Sequence, residues 1–134
     1  MALDLRREPF DGPAAIPLVA GVAPPHGAFL VAYLDGTAVG CGGVGRHDDG
    51  VAEIKRLWVD PAARGRGVAR ALVVQLEEEA LRLGYEAVVL ETGLRQPEAI
   101  RLYESLGYHR RPLDGQYRDS PLSVCLGRDL GPAR

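Results

Sequence analysis

The sequence predicts a single α/β domain with a mixed central sheet, antiparallel in its N-terminal part and built around a βαβ unit. Three observations predict it. Short β-prone runs separated by turn signals fill the first half of the chain. After Val59 the apolar spacing changes from two to three and four. A short, wholly apolar run, Ala87 to Leu90, then follows the helical stretch, as in a strand covered on both faces. At 134 residues the chain has room for one domain over 1–134, because a domain takes about 100–200 residues. Its 46% hydrophobic and 25% charged residues can bury a core without disulfide or metal staples.

In chain order, Leu3 to Arg7 alternates weakly and reads as a first strand. Asp11 to Pro25 is broken by Pro and Gly, so at most a short helix fits there. Ala28 to Leu34 is β-prone, Asp35-Gly36 is a two-residue hairpin turn, and Thr37 to Gly45 returns antiparallel. After the turn Asp48-Asp49-Gly50, Val51 to Val59 reads as a strand. Simple alternation puts Ile54 and Trp58 on one face, with Glu53, Lys55, Leu57 and Val59 on the other.

Val68, Leu72, Leu76, Ala80 and Leu83 form the apolar stripe of a four-turn helix, with Arg70, Glu77, Glu78 and Arg82 on the far side and Gly84 as its stop. The strand Ala87 to Leu90 closes the βαβ unit, parallel to Val51 to Val59. A second helix starts near Pro97, buries Ala99, Leu102, Tyr103 and Leu106, and ends at Gly107. Tyr108 to Arg111 and Leu122 to Leu126 read as strands flanking the polar loop Leu113 to Pro121.

Several function classes are excluded as expectations. Sixteen basic and eighteen acidic side chains leave a net charge of −2, so no overall field gathers nucleic acid or an anionic membrane. The longest apolar run, Ala28 to Leu34, is far short of the roughly 18 residues of a membrane span. Arg6 and Arg7 before Ala14 to Ala23 mimic a secretory signal, but Asp4, Glu8, Asp11, Pro17 and Gly21 spoil the pattern. Cys41 and Cys125 lie far apart in apolar contexts, which suits reduced core thiols in a cytoplasm. His26, His47 and His109 have no partners at ligand spacing, so no metal site is expected. Trp58 reads as a core or interface aromatic.

The densest chemical signal is the junction Val59-Asp60-Pro61-Ala62-Ala63-Arg64-Gly65-Arg66-Gly67-Val68-Ala69. A strand ends, a glycine-punctuated loop follows, and a helix begins, so unpaired amides and the positive end of the helix dipole face one point. Such a point binds phosphate. Gly65 and Gly67 let a ligand reach the backbone, and Arg64, Arg66 and Arg70 can add charge-assisted contacts. No GxxxxGK[ST] motif occurs, and Arg70 stands where a dinucleotide fingerprint needs a third small residue, although Glu91 falls where a ribose-binding acid would.

The segment Arg64-Gly65-Arg66-Gly67-Val68-Ala69 matches the [RQ]-x-x-G-x-[GA] motif of the GNAT superfamily of acyl-CoA-dependent N-acyltransferases. It follows a strand, Ile54 to Val59, of the type that family carries. Ala99-Ile100-Arg101-Leu102-Tyr103-Glu104-Ser105-Leu106-Gly107-Tyr108 resembles the family's second recurrent stretch, A-x-x-L-Y-x-x-x-G-[FY]. The similarity runs from about 28 to 126, and Gln96 stands where many members carry an asparagine that touches the cofactor.

The resemblance implies a GNAT-like domain that transfers acetyl from acetyl-CoA to a primary amine by direct attack, with no acyl-enzyme and no metal. The amides of Arg64, Gly65, Arg66, Gly67, Val68 and Ala69 would hold the pyrophosphate, and the backbone of Leu57, Trp58 and Val59 would pair with the pantetheine arm as an added strand. Glu53 is the position implied for the proton acceptor, directly or through a water, with Glu91 in reserve. Burial would have to raise such a carboxyl toward neutrality. Tyr103 is the position implied for the thiolate donor. Asp114 and Tyr117, in the polar loop, are placed beside the acceptor pocket. A homodimer is compatible. A non-catalytic CoA or phosphate sensor and a small nucleotide-binding protein stay open as alternatives at this point.

Overall fold

A computed structural model describes residues 2–7, 21–93, 96–112 and 122–131. Its strands are β1 (Leu3–Arg7), β2 (Ala28–Leu34), β3 (Thr37–Asp48), β4 (Val51–Val59), β5 (Ala87–Gly93), β6 (His109–Arg111) and β7 (Ser123–Asp129). The helices are α1 (Val68–Arg82) and α2 (Pro97–Ser105), with a 3-10 turn at Pro61–Ala63. The seven strands form one sheet in the order β1-β2-β3-β4-β5-β7-β6. Only β4 and β5 run parallel, joined by α1, and every other neighbouring pair is antiparallel. The mixed sheet and its central βαβ unit are those expected.

Local chemistry explains most boundaries. Asp35 and Gly36 both take positive φ, as the two-residue hairpin turn requires. In β2 the alternate residues Ala28, Leu30, Ala32 and Leu34 are buried. On α1 the stripe Val68, Leu72, Val73, Leu76 and Ala80 is buried under the sheet, and in β5 Val88, Val89 and Leu90 are buried in succession. Residues 8–20, which include most of the Pro- and Gly-broken stretch, and the polar loop from 113 to 121 lie outside the described residues.

Two expectations need correction. Alternation along β4 fails at Arg56, where one residue of β3, Gly42 between Cys41 and Gly43, lies opposite two of β4, Arg56 and Leu57 between Lys55 and Trp58. Arg56 takes φ +57°, and the Cys41 thiol donates to its carbonyl at 3.5 Å. This bulge reverses the faces beyond it. Leu57 and Val59 therefore join Ile54 against the core, while Trp58 turns outward, 52% exposed, and is not a core aromatic.

The expected polar side of α1 holds at Arg70, Glu78 and Arg82 but not at Glu77. Glu77 is buried, accepting a 2.7 Å bond from the Tyr108 hydroxyl and a 3.4 Å contact from Arg128. Glu79 is buried too, with Arg7 of β1 bonded at 2.6 Å and Arg82 at 3.3 Å. Burial alone would raise the Glu79 carboxyl, but the bonds from Arg7 and Arg82 hold it below its ordinary value.

Candidate active site

The site begins where β4 and β5 part. They pair only from Val51 against Ala87 to Ile54 against Leu90. Beyond that level β5 continues to Gly93 along β7, and β4 continues along β3 through the bulge to Val59. The edge of β4 that faces β5 thus loses its partner from Lys55 onward, leaving backbone groups for an added strand. The parting opens a cleft of about 600 Å³ lined by Glu53, Lys55, Arg56, Leu57, Glu91, Gln96 and Tyr103, among others.

Glu53 lies at the fork. It is 8% exposed, and its Oε1 is 3.2 Å from His47 Nδ1 and 3.8 Å from Lys55 Nζ. Tyr103 reaches the cleft from α2, also 8% exposed, with its ring 6.0 Å from that of Tyr108. Burial pushes its phenol up to about 12, so at neutral pH it carries its proton and can donate it. Gln96, at the start of α2, and Glu91, on β5, line the same cleft.

At the other end of β4 the loop turns into α1. Asp60 Oδ1 accepts from Ala62 N at 2.9 Å and starts the 3-10 turn. Gly65 and Gly67 then take φ +78° and +79°, a region open to glycine and costly for other residues. Gly67 is the N-cap of α1 and offers no side chain to satisfy the first amides, and no acidic residue stands in the first turn. A Cβ built on either glycine would meet nothing within 4 Å, so the space before the helix is open. The first-turn amides, which have no carbonyl a turn behind them, face that space. Arg70 bonds Ser105 of α2 at 2.9 Å, tying this helix end to the helix that carries Tyr103.

The structure therefore brings Glu53, Tyr103, Leu57, Gln96 and the reserve residue Glu91 to one cleft. Trp58 and Val59 continue the same strand, and Arg64, Gly65, Arg66, Gly67, Val68 and Ala69 form the loop and first turn beyond it. Asp114 and Tyr117 lie outside the described residues. Lys55 is a partner of Glu53 that strand spacing allows, whereas sequence reasoning missed His47 as its neighbour. The one available signal was the pair Gly43 and Gly45, which lie opposite Lys55 and Glu53 in the register. A Cβ on Gly43 would collide with Val22, and one on Gly45 with the Gly21 carbonyl. The chain at 21–22 thus packs directly over that face of the sheet.

Comparison with known proteins agrees with this geometry. The sequence matches the Acetyltransferase (GNAT) family over residues 4–108. The IAA acetyltransferase of Azospirillum brasilense is 40% identical over 110 residues, covering 81% of this chain and 72% of that protein. Human N-acetylaspartate synthetase (Homo sapiens) is 40% identical over 108 residues, 80% of this chain and 36% of that protein, so the chain spans about a third of that relative. Among solved structures, a proposed acyl-CoA N-acyltransferase from Klebsiella pneumoniae aligns at TM-score 0.76 and 32% identity over 88% of this chain and 84% of its own. The PaiA N-acetyltransferase of Thermoplasma acidophilum, solved with coenzyme A, shares the fold at TM-score 0.66 and 18% identity over 78% of this chain and 61% of its own. With a parted β4–β5 pair, an open glycine loop at the helix start and a family match over most of its length, this chain is a member of the GNAT acetyltransferase family.

Proposed function

We propose that this acetyltransferase moves the acetyl group of acetyl-CoA directly onto a primary amine of a small molecule or peptide. The observation that carries the reading is the fork itself. A buried carboxylate, Glu53, and a protonated buried phenol, Tyr103, line one cleft at the point where β4 loses its strand partner. The residues fit the donor: the open cradle at Gly65 and Gly67 suits the pyrophosphate, and the free edge of Leu57 to Val59 suits the amides of the pantetheine arm.

The chemistry asks two things of the chain. The acceptor must lose a proton before its nitrogen can form the new C–N bond, and Glu53 receives it, directly or through a water. The C–S bond then breaks, and the departing thiolate takes the Tyr103 proton, which solvent restores. Among the described residues no three His, Cys, Asp or Glu side chains converge as a metal set, and no step is routed through a metal. The two free cysteines support a reducing compartment such as the cytoplasm.

The test is thiol release from acetyl-CoA with a panel of amines, read together with the mass of the acetylated product. Amine-dependent thiol release supports transfer. Tight CoA binding with no release under any amine indicates a sensor, and displacement of CoA by ATP or NAD indicates a nucleotide-binding protein.

A further inference from the structure

The walls of the cleft carry opposite charges. Lys55 would be the next residue of β4 to pair with β5, opposite Glu91, had the strands not parted after Ile54 and Leu90. Both line the cleft, yet they form no ion pair with each other. The only ion pair of Lys55 among the described residues is the loose 3.8 Å approach to Glu53 Oε1. That same oxygen meets His47 at 3.2 Å, and Glu53 Oε2 bonds to neither. The Lys55 side chain is 34% exposed, and a Cβ built on Gly21 would lie 3.6 Å from its Nζ. The ammonium group thus lies between Gly21 and Glu53, partly exposed, on a residue that lines the cleft. Lys55 is also the single lysine of a chain that otherwise uses arginine for its basic residues.

A cleft with a cation on one wall, a carboxylate on the other and a second carboxylate at its floor complements a ligand that bears both charges on neighbouring atoms. A polyamine would meet Lys55 as a like charge, and a neutral amine would leave Lys55 unused. We propose that the acceptor is a free α-amino acid, its ammonium group received between Glu53 and Glu91 and its carboxylate held by Lys55. This rests on the acetyl-transfer reading above and adds the acceptor's chemical class. Lys55 is then a specificity-determining residue that pairs with a group of the substrate that does not react, so it acts mainly on KM.

The experiment compares L-amino acids with their carboxamides and methyl esters, which keep the amine and remove the negative charge, and with spermidine and benzylamine. The full chain is used with acetyl-CoA and thiol detection. At least one amino acid should exceed its own amide about tenfold in kcat/KM, mostly through KM. Lys55→Met should erase that preference while leaving the KM for acetyl-CoA in place, and Lys55→Arg should restore much of it. A binding arm needs no turnover: with CoA saturating, the preferred amino acid should raise the melting temperature further in the parent and not in Lys55→Met. Equal use of acid and amide, an acid preference that survives in Lys55→Met, or a CoA-bound protein indifferent to every amino acid overturns the inference and leaves acetyl transfer standing. Failure of all amines, amino acids included, overturns the transfer reading itself.

Discussion

The cleft and the polar cluster between α1 and β7 are built from the same two side-chain types. In the cluster, Tyr108 and Glu77 are bonded to each other at 2.7 Å, and Arg128 closes the set by bonding the Leu106 carbonyl at 2.9 Å. In the cleft, Tyr103 and Glu53 line the same open space with no bond between them, and the Glu53 carboxylate keeps one oxygen clear of its neighbours. Burial raises both phenols, Tyr108 further because the Glu77 carboxylate faces it. Burial is therefore no guide to which pair does chemistry. Polar atoms committed to one another hold the fold together, and polar atoms left facing a cavity are available to a substrate.

The largest effect is expected in the backbone cradle that serves the cleft. Saturating acetyl-CoA at a hundred times its dissociation constant should stabilise the parent by about 2.7 kcal/mol, seen as a raised melting temperature. Gly67→Val should lose that shift, because a φ of +79° is strained for a branched residue and its side chain would fill the open space before α1 that the pyrophosphate would need. An undiminished shift in Gly67→Val removes the pyrophosphate from this loop.

The two tyrosines give the sharpest contrast. Tyr108→Phe leaves the buried Glu77 without its short hydrogen bond and should cost about 2 kcal/mol of stability, measured by denaturant unfolding, with turnover per folded molecule kept. Tyr103→Phe should do the reverse. Turnover should fall at least about tenfold, about 1.4 kcal/mol of transition-state stabilisation, while folding and acetyl-CoA affinity hold. If the two variants exchange phenotypes, Tyr103 is a core group and the thiolate leaves through water.

A smaller change is expected for Glu53→Gln, which keeps the shape and removes the base. Turnover should drop severalfold, and the acidic limb of the pH–rate profile should change, with acetyl-CoA affinity unaltered. Matching turnover and profile would move the role to Glu91.

A further effect is expected in the alkaline range. A phenol raised from 10 to about 12 in the folded state contributes stability that is complete below pH 10 and is lost as pH rises toward 12. Urea unfolding from pH 9 to 11.5 should show this decline in the parent, and a shallower one in Tyr103→Phe.

What the sequence determined by itself is what short-range periodicity and glycine placement encode. The Asp35-Gly36 hairpin, the apolar stripe of α1, the doubly buried run at Val88 to Leu90 and the glycine loop before Val68 each depend on residues within a turn or two of one another. The loop was legible as a candidate anion site for that reason: amides and a helix dipole need only local backbone to converge. Tertiary structure alone decided the rest. Trp58 faces outward because a bulge at Arg56 shifts β4 against β3, and no alternation within β4 reports an extra residue relative to a neighbour. Glu77 and Glu79 are buried because Tyr108, Arg128 and Arg7, all distant in sequence, satisfy them. The cleft exists because β5 follows β7 where β4 follows β3, and strand divergence depends on which partners each edge finds. Only that parting places Glu53, Lys55, Glu91 and Tyr103, four residues from three separate elements, around one cavity.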